Sequence, residues 1–348
     1  MSPYVTATLL FGLGLGTTIT ATSSHWLLAW MGLEMNTLAI IPLMAQPHHP
    51  RAVEATTKYF LTQAAGAAML LFASATNAWL DGQWEIQQMS HPLPISLITL
   101  ALALKLGLAP LHVWLPEVLQ GLDLTTGLIL STWQKLAPFT LLVQLQHTYP
   151  SLLIVLGVTS TLVGGWGGLN QTQLRKILAY SSIAHLGWMI LIIQFSTSLT
   201  ILALMTYLIM TTATFLVFKA HESTSLNMLA ASWTKAPVLT ALTPLILLSL
   251  GGLPPLTGFM PKWLIIQELT TQGMGLLATL TALTALLSLY FYLRLSYTMA
   301  LTLSPNTTAG STPWRLAPPR STLPLATSMA MTMLLLPLTP TFAALMLL

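Results

Sequence analysis

The chain has 348 residues, of which 54% are hydrophobic and only 6% are charged, and this leaves too little polar surface to cover a soluble globule of that size. Its net charge is +4, but the basic residues are spread along the chain rather than collected into one face or tail, which argues against nucleic-acid binding. The sequence contains no cysteine, which excludes disulfides, thiolate zinc sites and ordinary iron–sulfur clusters.

Apolar stretches long enough to cross a bilayer recur along the whole sequence. A hydrocarbon core of ~30 Å requires about 20 residues of α-helix, and about eleven such stretches are separated by short polar segments. We predict an all-α, polytopic transmembrane helical bundle that forms a single transmembrane domain over residues 1–348, with a retained first span because the first basic residue is Arg51. The predicted spans are about 3–22, 25–45, 56–78, 93–115, 124–146, 150–168, 174–194, 197–219, 237–270, 274–297 and 323–347.

The basic residues predict the orientation of the spans. When the spans are threaded alternately across the membrane, nine of the twelve basic residues fall at or near one side. The positive-inside rule makes this side the matrix or cytoplasmic face, with the N-terminus inside and the C-terminus outside. These nine residues are Arg51, Lys58, Arg175, Lys176, Lys219, Lys235, Arg294, Arg315 and Arg320.

Three charged residues, Glu34, Lys105 and Lys135, lie near mid-bilayer in their predicted spans, and Lys262 lies within the ninth span. A central charge costs at least ~2.5–3.5 kcal/mol, so such residues should pair, face a wet interior or be neutral part of the time. Desolvation favours neutral lysine and a nearby carboxylate favours the ammonium, so a Glu–Lys pair can hold or release a proton. We predict that Glu34 and Lys105 approach within salt-bridge or one-water distance. The alternative is that these charges are interhelical glue, or that some lysines snorkel to an interface.

A histidine in the seventh span, His185, is a further titratable group. It is interpreted either as a proton relay or as a hydrogen-bonded structural residue, and the sequence does not separate these two. His112 lies near the end of the fourth span, where interfacial anchoring is the favoured role.

Glycine and proline interrupt three of the predicted spans. Residues 237–270 would form a helix of roughly 50 Å, and the Gly and Pro residues at its centre predict two half-helices joined near Leu253–Gly258, with Lys262 on the second, close to a polar cavity. The fourth span is interrupted in the same way just after Lys105. In the fifth span, Pro138 predicts a local kink that frees the carbonyl of Gln134 beside Lys135.

The two half-helix breaks predict an internal repeat. KLGLAPL at 105–111 aligns with LGGLPPL at 250–256, with four identities in seven at an offset of 145 residues. The same offset maps spans 1–5 onto spans 6–10, and a unit with an odd number of spans must invert its copy. We therefore predict two inverted five-helix repeats, about 3–146 and 150–297, with broken helices at spans 4 and 9 and a final span at about 323–347. The alternative is that Gly and Pro are simply common in membrane helices.

Five segments carry a resemblance to a known family. They are GLEMNTLAIIPLM, EATTKYFLTQA, LGLAPLHVWLPEVLQGLDLTTGLILSTWQKLAP, QLRKILAYSSIAHLGWM and GGLPPLTGFMPKW. These segments resemble the NADH dehydrogenase subunit 2 family in its short, animal mitochondrial form, one of the antiporter-like subunits of respiratory complex I. The resemblance covers essentially the whole chain. It implies that three helices present at the N-terminus of bacterial relatives are absent here.

The resemblance implies a function and a setting. It implies proton translocation coupled to NADH:ubiquinone electron transfer, with Glu34 and Lys105 as a coupled pair, Lys135 as the central lysine and Lys262 after the second broken helix. It implies a location in the mitochondrial inner membrane, with the N-terminus on the matrix side and the C-terminus on the intermembrane-space side. The implied partners are the other membrane-arm and accessory subunits of the complex. No cofactor is expected in this chain, since flavin, iron–sulfur clusters and ubiquinone belong to other subunits.

The sequence leaves three other interpretations to compare with this one. A cation/proton antiporter subunit would share the fold without coupling to electron transfer, and a passive membrane scaffold would only support its neighbours. A cytochrome b-like electron carrier needs histidine pairs that face each other across helices. His112 and His185 are the only span histidines away from obvious loops, so this third interpretation is disfavoured.

Overall fold

A computed structural model describes residues 2–145, 150–234, 236–301, 322–341 and 344, and its regular elements confirm the predicted all-α class. In chain order the helices are α1 (Pro3–Thr22), α2 (Trp26–Ala45), α3 (Pro50–Asp81), α4 (Pro92–Leu106), α5 (Trp114–Gly121), α6 (Leu124–Ser131), α7 (Trp133–Gln144), α8 (Pro150–Gly167), α9 (Leu174–Ile192), α10 (Thr197–His221), α11 (Leu226–Ala230), α12 (Pro237–Gly251), α13 (Phe259–Thr271), α14 (Gly275–Ala300) and α15 (Leu323–Leu334). Short 3-10 turns follow α11 at Ala231–Thr234 and α15 at Leu336–Leu338.

The helices carry the surface of a membrane protein. Within the described ranges, six helices are long and apolar enough to cross a membrane, namely α1, α2, α3, α8, α10 and α14. The helices α4, α12 and α15 are apolar but shorter. Large apolar side chains are exposed along these helices, such as Phe11 at 67% and Leu283 at 62%. This surface suits hydrocarbon, and we conclude that the chain is a membrane-embedded, multi-pass protein.

Helix caps set boundaries that apolar length alone does not show. The first two spans were predicted within one residue of α1 and α2, but α3 is 32 residues long and extends past the predicted 56–78 at both ends. The His49 side chain accepts from the N–H of Arg51 at its start, and Gly82 ends it. Three of the nine basic residues predicted at the matrix or cytoplasmic face, Lys235, Arg315 and Arg320, lie outside the described residues. Most of the C-terminal end of the predicted last span also lies outside them.

The chain forms two compact units, Met1–Thr159 and Ser160–Leu348. In the first unit, α1 packs on α2 through small residues, and a Cβ atom on Gly16 would lie 2.8 Å from the carbonyl oxygen of Gly32. Helix α3 packs on α4 and α5, and α7 packs on α1 and α4. Close contacts through glycine, as between α1 and α2, are the usual means by which membrane helices approach one another.

The second unit is organised around the second broken helix. Its α12 packs on α14 and α10, while α15 packs on α10 and α12. Helix α13 contacts α9, α10 and α14. The helix α15 therefore lies against α12, the helix that ends at the break.

The breaks after α4 and α12 share one hydrogen-bond pattern. Each helix is followed by a glycine with positive φ, 79° at Gly107 and 82° at Gly252. In the first break the N–H of Gly107 donates to the carbonyl of Leu104 (3.1 Å), and that of Leu108 donates to Ala103 (2.9 Å). These are the two bonds of a Schellman motif, which a glycine in the left-handed region closes without steric cost.

The second break repeats these bonds 145 residues later in the sequence. The N–H of Gly252 donates to the carbonyl of Ser249 (2.9 Å), and that of Leu253 donates to Leu248 (3.2 Å). The next helix, α13, begins at Phe259. The prediction that residues 237–270 form two half-helices joined near Leu253–Gly258 is confirmed, and Lys262 lies on the second half-helix as predicted.

Candidate functional site

Two buried lysines define the site in the first unit. Lys105 lies in the last turn of α4 and is 6% exposed, and Lys135 lies in the first turn of α7 and is 3% exposed. The Nζ of Lys105 donates to the carbonyl oxygen of Gln63 on α3 at 3.4 Å, while the Gln63 side chain donates to the carbonyl of Lys105 at 3.5 Å. These two long hydrogen bonds place the side chain of Lys105 between α3 and α4.

Lys105 and Lys135 line the same internal cavity. It offers ~20 Å³ to the centre of a water molecule, above the roughly 10–15 Å³ that one water requires. The Asn36 side chain also lines it and is 2% exposed, and among the described residues its Oδ1 and Nδ2 have no hydrogen-bond partner. The other polar lining residues are Thr37, Tyr59, Gln63 and Gln134. An unsatisfied buried amide beside a water-sized space is the setting in which ordered water is found in proteins.

Glu34 does not form a direct ion pair with Lys105. Among the described residues, the ion pairs within 4.0 Å that involve a lysine are those of Lys58 with Glu54 and Glu117. The salt-bridge form of the prediction is therefore wrong for this structure, because Lys105 is directed to the carbonyl of Gln63 instead. The water-bridged form stays a prediction.

The Glu34 carboxylate is nevertheless part of the same environment. It lies half-buried on α2, and the hydroxyl of Thr37 donates to its Oε2 at 3.0 Å. It is close enough to act electrostatically on Lys105 and on Tyr59. Glu34 thus supplies negative charge near the cavity without occupying its wall.

The predicted fifth span contains an interruption that was not predicted. It is divided into α6 and α7 at Thr132, one turn before Lys135, whereas Pro138, where a kink was predicted, lies inside α7. The hydroxyls of Ser131 and Thr132 both donate to the carbonyl of Leu128, at 3.1 and 2.7 Å, at the point where α6 ends.

Lys262 lies on α13 in the second unit, and its side chain reaches the C-terminal end of α12. Its half-buried side chain donates from Nζ to the carbonyl of Gly251 at 2.8 Å and to that of Leu250 at 3.4 Å. These carbonyls belong to the C-terminal turn of α12, where orphan acceptors and the negative end of the helix dipole favour a cation. The second helix break therefore builds a binding site for this ammonium group.

His185 lies beside Lys262 in a narrow crevice. Both residues line it together with Trp188 and Tyr292. The ring of His185 is 5.7 Å from that of Tyr207 between centroids. The crevice has no space for the centre of a water molecule, in contrast to the cavity of the first unit.

Sequence reasoning did not single out the amides that line the first cavity. Asn36, Gln63 and Gln134 all lie inside predicted spans, where a polar side chain is costly unless it is satisfied. Gln134 directly precedes Lys135, and Asn36 follows Glu34 by two residues. Polarity within a span was the available signal, and it applies to amides as well as to charges.

Solved structures with the same architecture define the class of protein. The chain is similar to one in the structure of respiratory complex I from Thermus thermophilus with bound aureothin, with 29% sequence identity, a TM-score of 0.81 and coverage of 97% of this chain and 80% of that one. It also shares its fold with a chain of the Mrp complex from Dietzia sp. DQ12-45-1b, at 19% identity, a TM-score of 0.79, and coverage of 97% and 74%. The class is that of antiporter-like membrane subunits.

The sequence assigns the family within that class. The family model for the membrane part of NADH:quinone oxidoreductase and Mrp antiporters matches residues 23–288, and the model for the C-terminus of NADH dehydrogenase subunit 2 matches residues 289–343. The NADH-ubiquinone oxidoreductase chain 2 of Tetraodon nigroviridis is 74% identical over 98% of both chains, and that of Oncorhynchus mykiss is 68% identical over 99% of both. The chain belongs to the NADH dehydrogenase subunit 2 family.

Proposed function

We propose that Glu34, Lys105, Lys135 and Lys262 carry the protons that this subunit moves, with His185 as a further relay beside Lys262. The chain is a proton-translocating membrane-arm subunit of respiratory complex I, the NADH:ubiquinone oxidoreductase of mitochondria, and it works among the other membrane-arm subunits. Its part in the enzyme is proton movement, and we expect flavin, iron–sulfur chemistry and quinone reduction to be carried by other subunits.

The observation that carries the proposal is the cavity shared by Lys105 and Lys135. Both side chains are almost fully buried, and the cavity that they line together accommodates a water molecule. One ammonium group releases a proton to this water while the water gives one of its own protons to the neutral amine of the other lysine. The positive charge moves from one lysine to the other and the water is unchanged.

Glu34 sets which lysine holds the proton. Its carboxylate acts electrostatically on Lys105, and a nearby negative charge favours the ammonium form of a lysine. Loss of a proton from Lys105 is therefore easier when Glu34 is itself neutralised. The hydroxyl of Thr37 keeps this carboxylate in place through its 3.0 Å hydrogen bond.

Lys262 provides a second station at the second helix break. Its ammonium is held by main-chain carbonyls of α12 rather than by a carboxylate, so a change in the break alters its hydrogen bonds directly. A neutral amine in the same position would donate less strongly to those acceptors. The geometry of the break and the protonation of Lys262 are thus linked.

The finer architecture is also part of the proposal. We propose about eleven spans in one transmembrane domain, arranged as two inverted five-helix repeats over about 3–146 and 150–297 with a final span at about 323–347. The matching Schellman bonds at Gly107 and Gly252, with the same offset of 145 residues as the sequence match, support the repeat. The N-terminus is proposed to face the matrix and the C-terminus the intermembrane space, which protease accessibility of tagged termini in mitoplasts tests.

The test of the proton path is the substitution of Lys135. Lys135→Met preserves much of the side chain's bulk and removes a buried charge, so we expect the complex to assemble and proton pumping to fall. Lys135→Arg keeps the charge but loses easy deprotonation, so it should also be impaired. The measurement is proton uptake in vesicles with the assembled complex, normalised to NADH oxidised and to complex content.

A matched control removes a lysine outside the site. Lys219 is exposed at the end of α10, and Lys219→Met should pump at the wild-type ratio of protons to electrons. If Lys135→Met also pumps at the normal ratio and rate, Lys135 is not a relay and the residue is structural.

A further inference from the structure

A buried hydroxyl cluster joins the second helix break to the C-terminal helix. The Oγ of Ser249 donates to the carbonyl oxygen of Thr332 at 3.1 Å, and the Oγ1 of Thr257 donates to the same oxygen at 2.6 Å. The two hydroxyls lie 3.1 Å apart. Each of the three residues is at most 2% exposed.

The acceptor in this cluster is an orphan carbonyl. Thr332 lies in the last turn of α15, which ends at Leu334, and the carbonyls of the last turn have no partner within their own helix. The chain continues as a 3-10 turn at Leu336–Leu338 rather than as α-helix. A buried carbonyl must find donors elsewhere, and here the donors come from the helix break.

The two hydroxyls hold the break from both of its sides. Ser249 lies in the last turn of α12, two residues before Gly251, whose carbonyl accepts from Lys262 at 2.8 Å. Thr257 lies at the other end of the break, two residues before α13 begins at Phe259. A single main-chain oxygen of α15 therefore fixes the end of one half-helix relative to the start of the next.

We propose that α15 is a clamp on the second helix break and that Ser249 and Thr257 are positioning residues for Lys262. The clamp joins two parts of the chain that different family models match, because both hydroxyls lie within residues 23–288 and Thr332 lies within residues 289–343. The C-terminal segment thereby sets the geometry of a site in the antiporter-like part. The consequence for pumping rests on the proposed role of Lys262, whereas the clamp itself does not.

The experiment removes the two donors and leaves the acceptor in place. Thr257→Val and Ser249→Ala are made singly and together in the assembled complex, and hydrogen exchange is measured at the amides of the non-proline residues in 252–258. Loss of both hydroxyls should speed exchange there by about ten-fold or more, since each neutral hydrogen bond changes an opening equilibrium by a few-fold. The ratio of protons pumped to NADH oxidised should fall in the same variants.

The control is Thr327→Val, on the same helix. Thr327 is exposed, and its hydroxyl partners in the described part of the chain are carbonyls of α15 itself, at Leu323 and Pro324. This variant should leave exchange and pumping unchanged. If the double variant fails to assemble, the single variants carry the test, with an expected increase in exchange of a few-fold each.

The outcomes separate the clamp from the proton path. Unchanged exchange at residues 252–258 in the hydroxyl variants overturns the clamp. Faster exchange with an unchanged pumping ratio overturns the positioning role of Ser249 and Thr257, provided that Lys262→Met lowers that ratio. Faster exchange together with normal pumping by Lys262→Met contradicts the proposed role of Lys262 and supports the clamp as a structural device.

Discussion

Replacement of Lys105 by methionine distinguishes a residue that carries protons from a residue that only holds helices together. In the described part of the chain, the Lys105 ammonium makes one hydrogen bond, to the carbonyl of Gln63, and its length of 3.4 Å makes it weak. Hydrogen bonds of charged groups contribute ~1.5–3 kcal/mol, and the long distance places this one no higher than the lower end of that range, whereas a central charge in the bilayer costs at least ~2.5–3.5 kcal/mol. Lys105→Met should therefore stabilise the surroundings of α4 by about 1–3 kcal/mol, and attraction from Glu34 moves the figure toward the lower end.

Hydrogen exchange along α4 measures this change. A gain of about 1–3 kcal/mol corresponds to roughly 5- to 150-fold slower exchange at amides that exchange through local opening. Proton pumping should fall in the same variant. Leu106→Met is the matched control, because Leu106 is buried one residue away and a leucine-to-methionine exchange conserves volume. Faster exchange along α4 in Lys105→Met than in wild type would refute the reasoning, since it would mean that the lysine holds the helices together.

Two further substitutions test the surroundings of the cavity. Glu34→Gln keeps an acceptor for the Thr37 hydroxyl, so the subunit should assemble normally while pumping per NADH falls, and an unchanged pumping ratio would exclude a role for the carboxylate. Gly16→Ala would place a Cβ atom 2.8 Å from the carbonyl of Gly32, so assembled complex measured on native gels should drop several-fold. Gly14→Ala is its control, because no atom lies within 4 Å of a Cβ there, and equal loss in both variants would contradict the packing argument.

Local signals allowed the helix breaks to be predicted from the sequence. Glycine and proline act within a few residues of where they stand, so the Gly and Pro residues that follow Lys105 and Leu250 indicate the ends of α4 and α12. The interruption at Thr132, one turn before Lys135, was not predicted, whereas Pro138, where a kink was predicted, lies inside α7. No glycine or proline lies between residues 128 and 137, so this interruption has no local signal of that kind.

The contacts of the charged side chains could not be predicted in the same way. Mid-bilayer position identified Glu34 and Lys105 as expensive charges, but their direct pairing depends on where α3 places the carbonyl of Gln63. The position of this carbonyl relative to Lys105 depends on the tertiary structure, and the sequence around Glu34 or Lys105 does not indicate it. The amide of Asn36 belongs to the same class, since the water-sized space beside it appears only when α2, α3, α4 and α7 are assembled.

The most direct measurement for the shared cavity is a map of the assembled complex that resolves ordered water. We expect a water in the cavity lined by Asn36, Lys105 and Lys135, within hydrogen-bond distance of the Asn36 amide and of at least one lysine Nζ. A dry cavity, with apolar side chains closing the space between the two lysines, would contradict proton transfer between them.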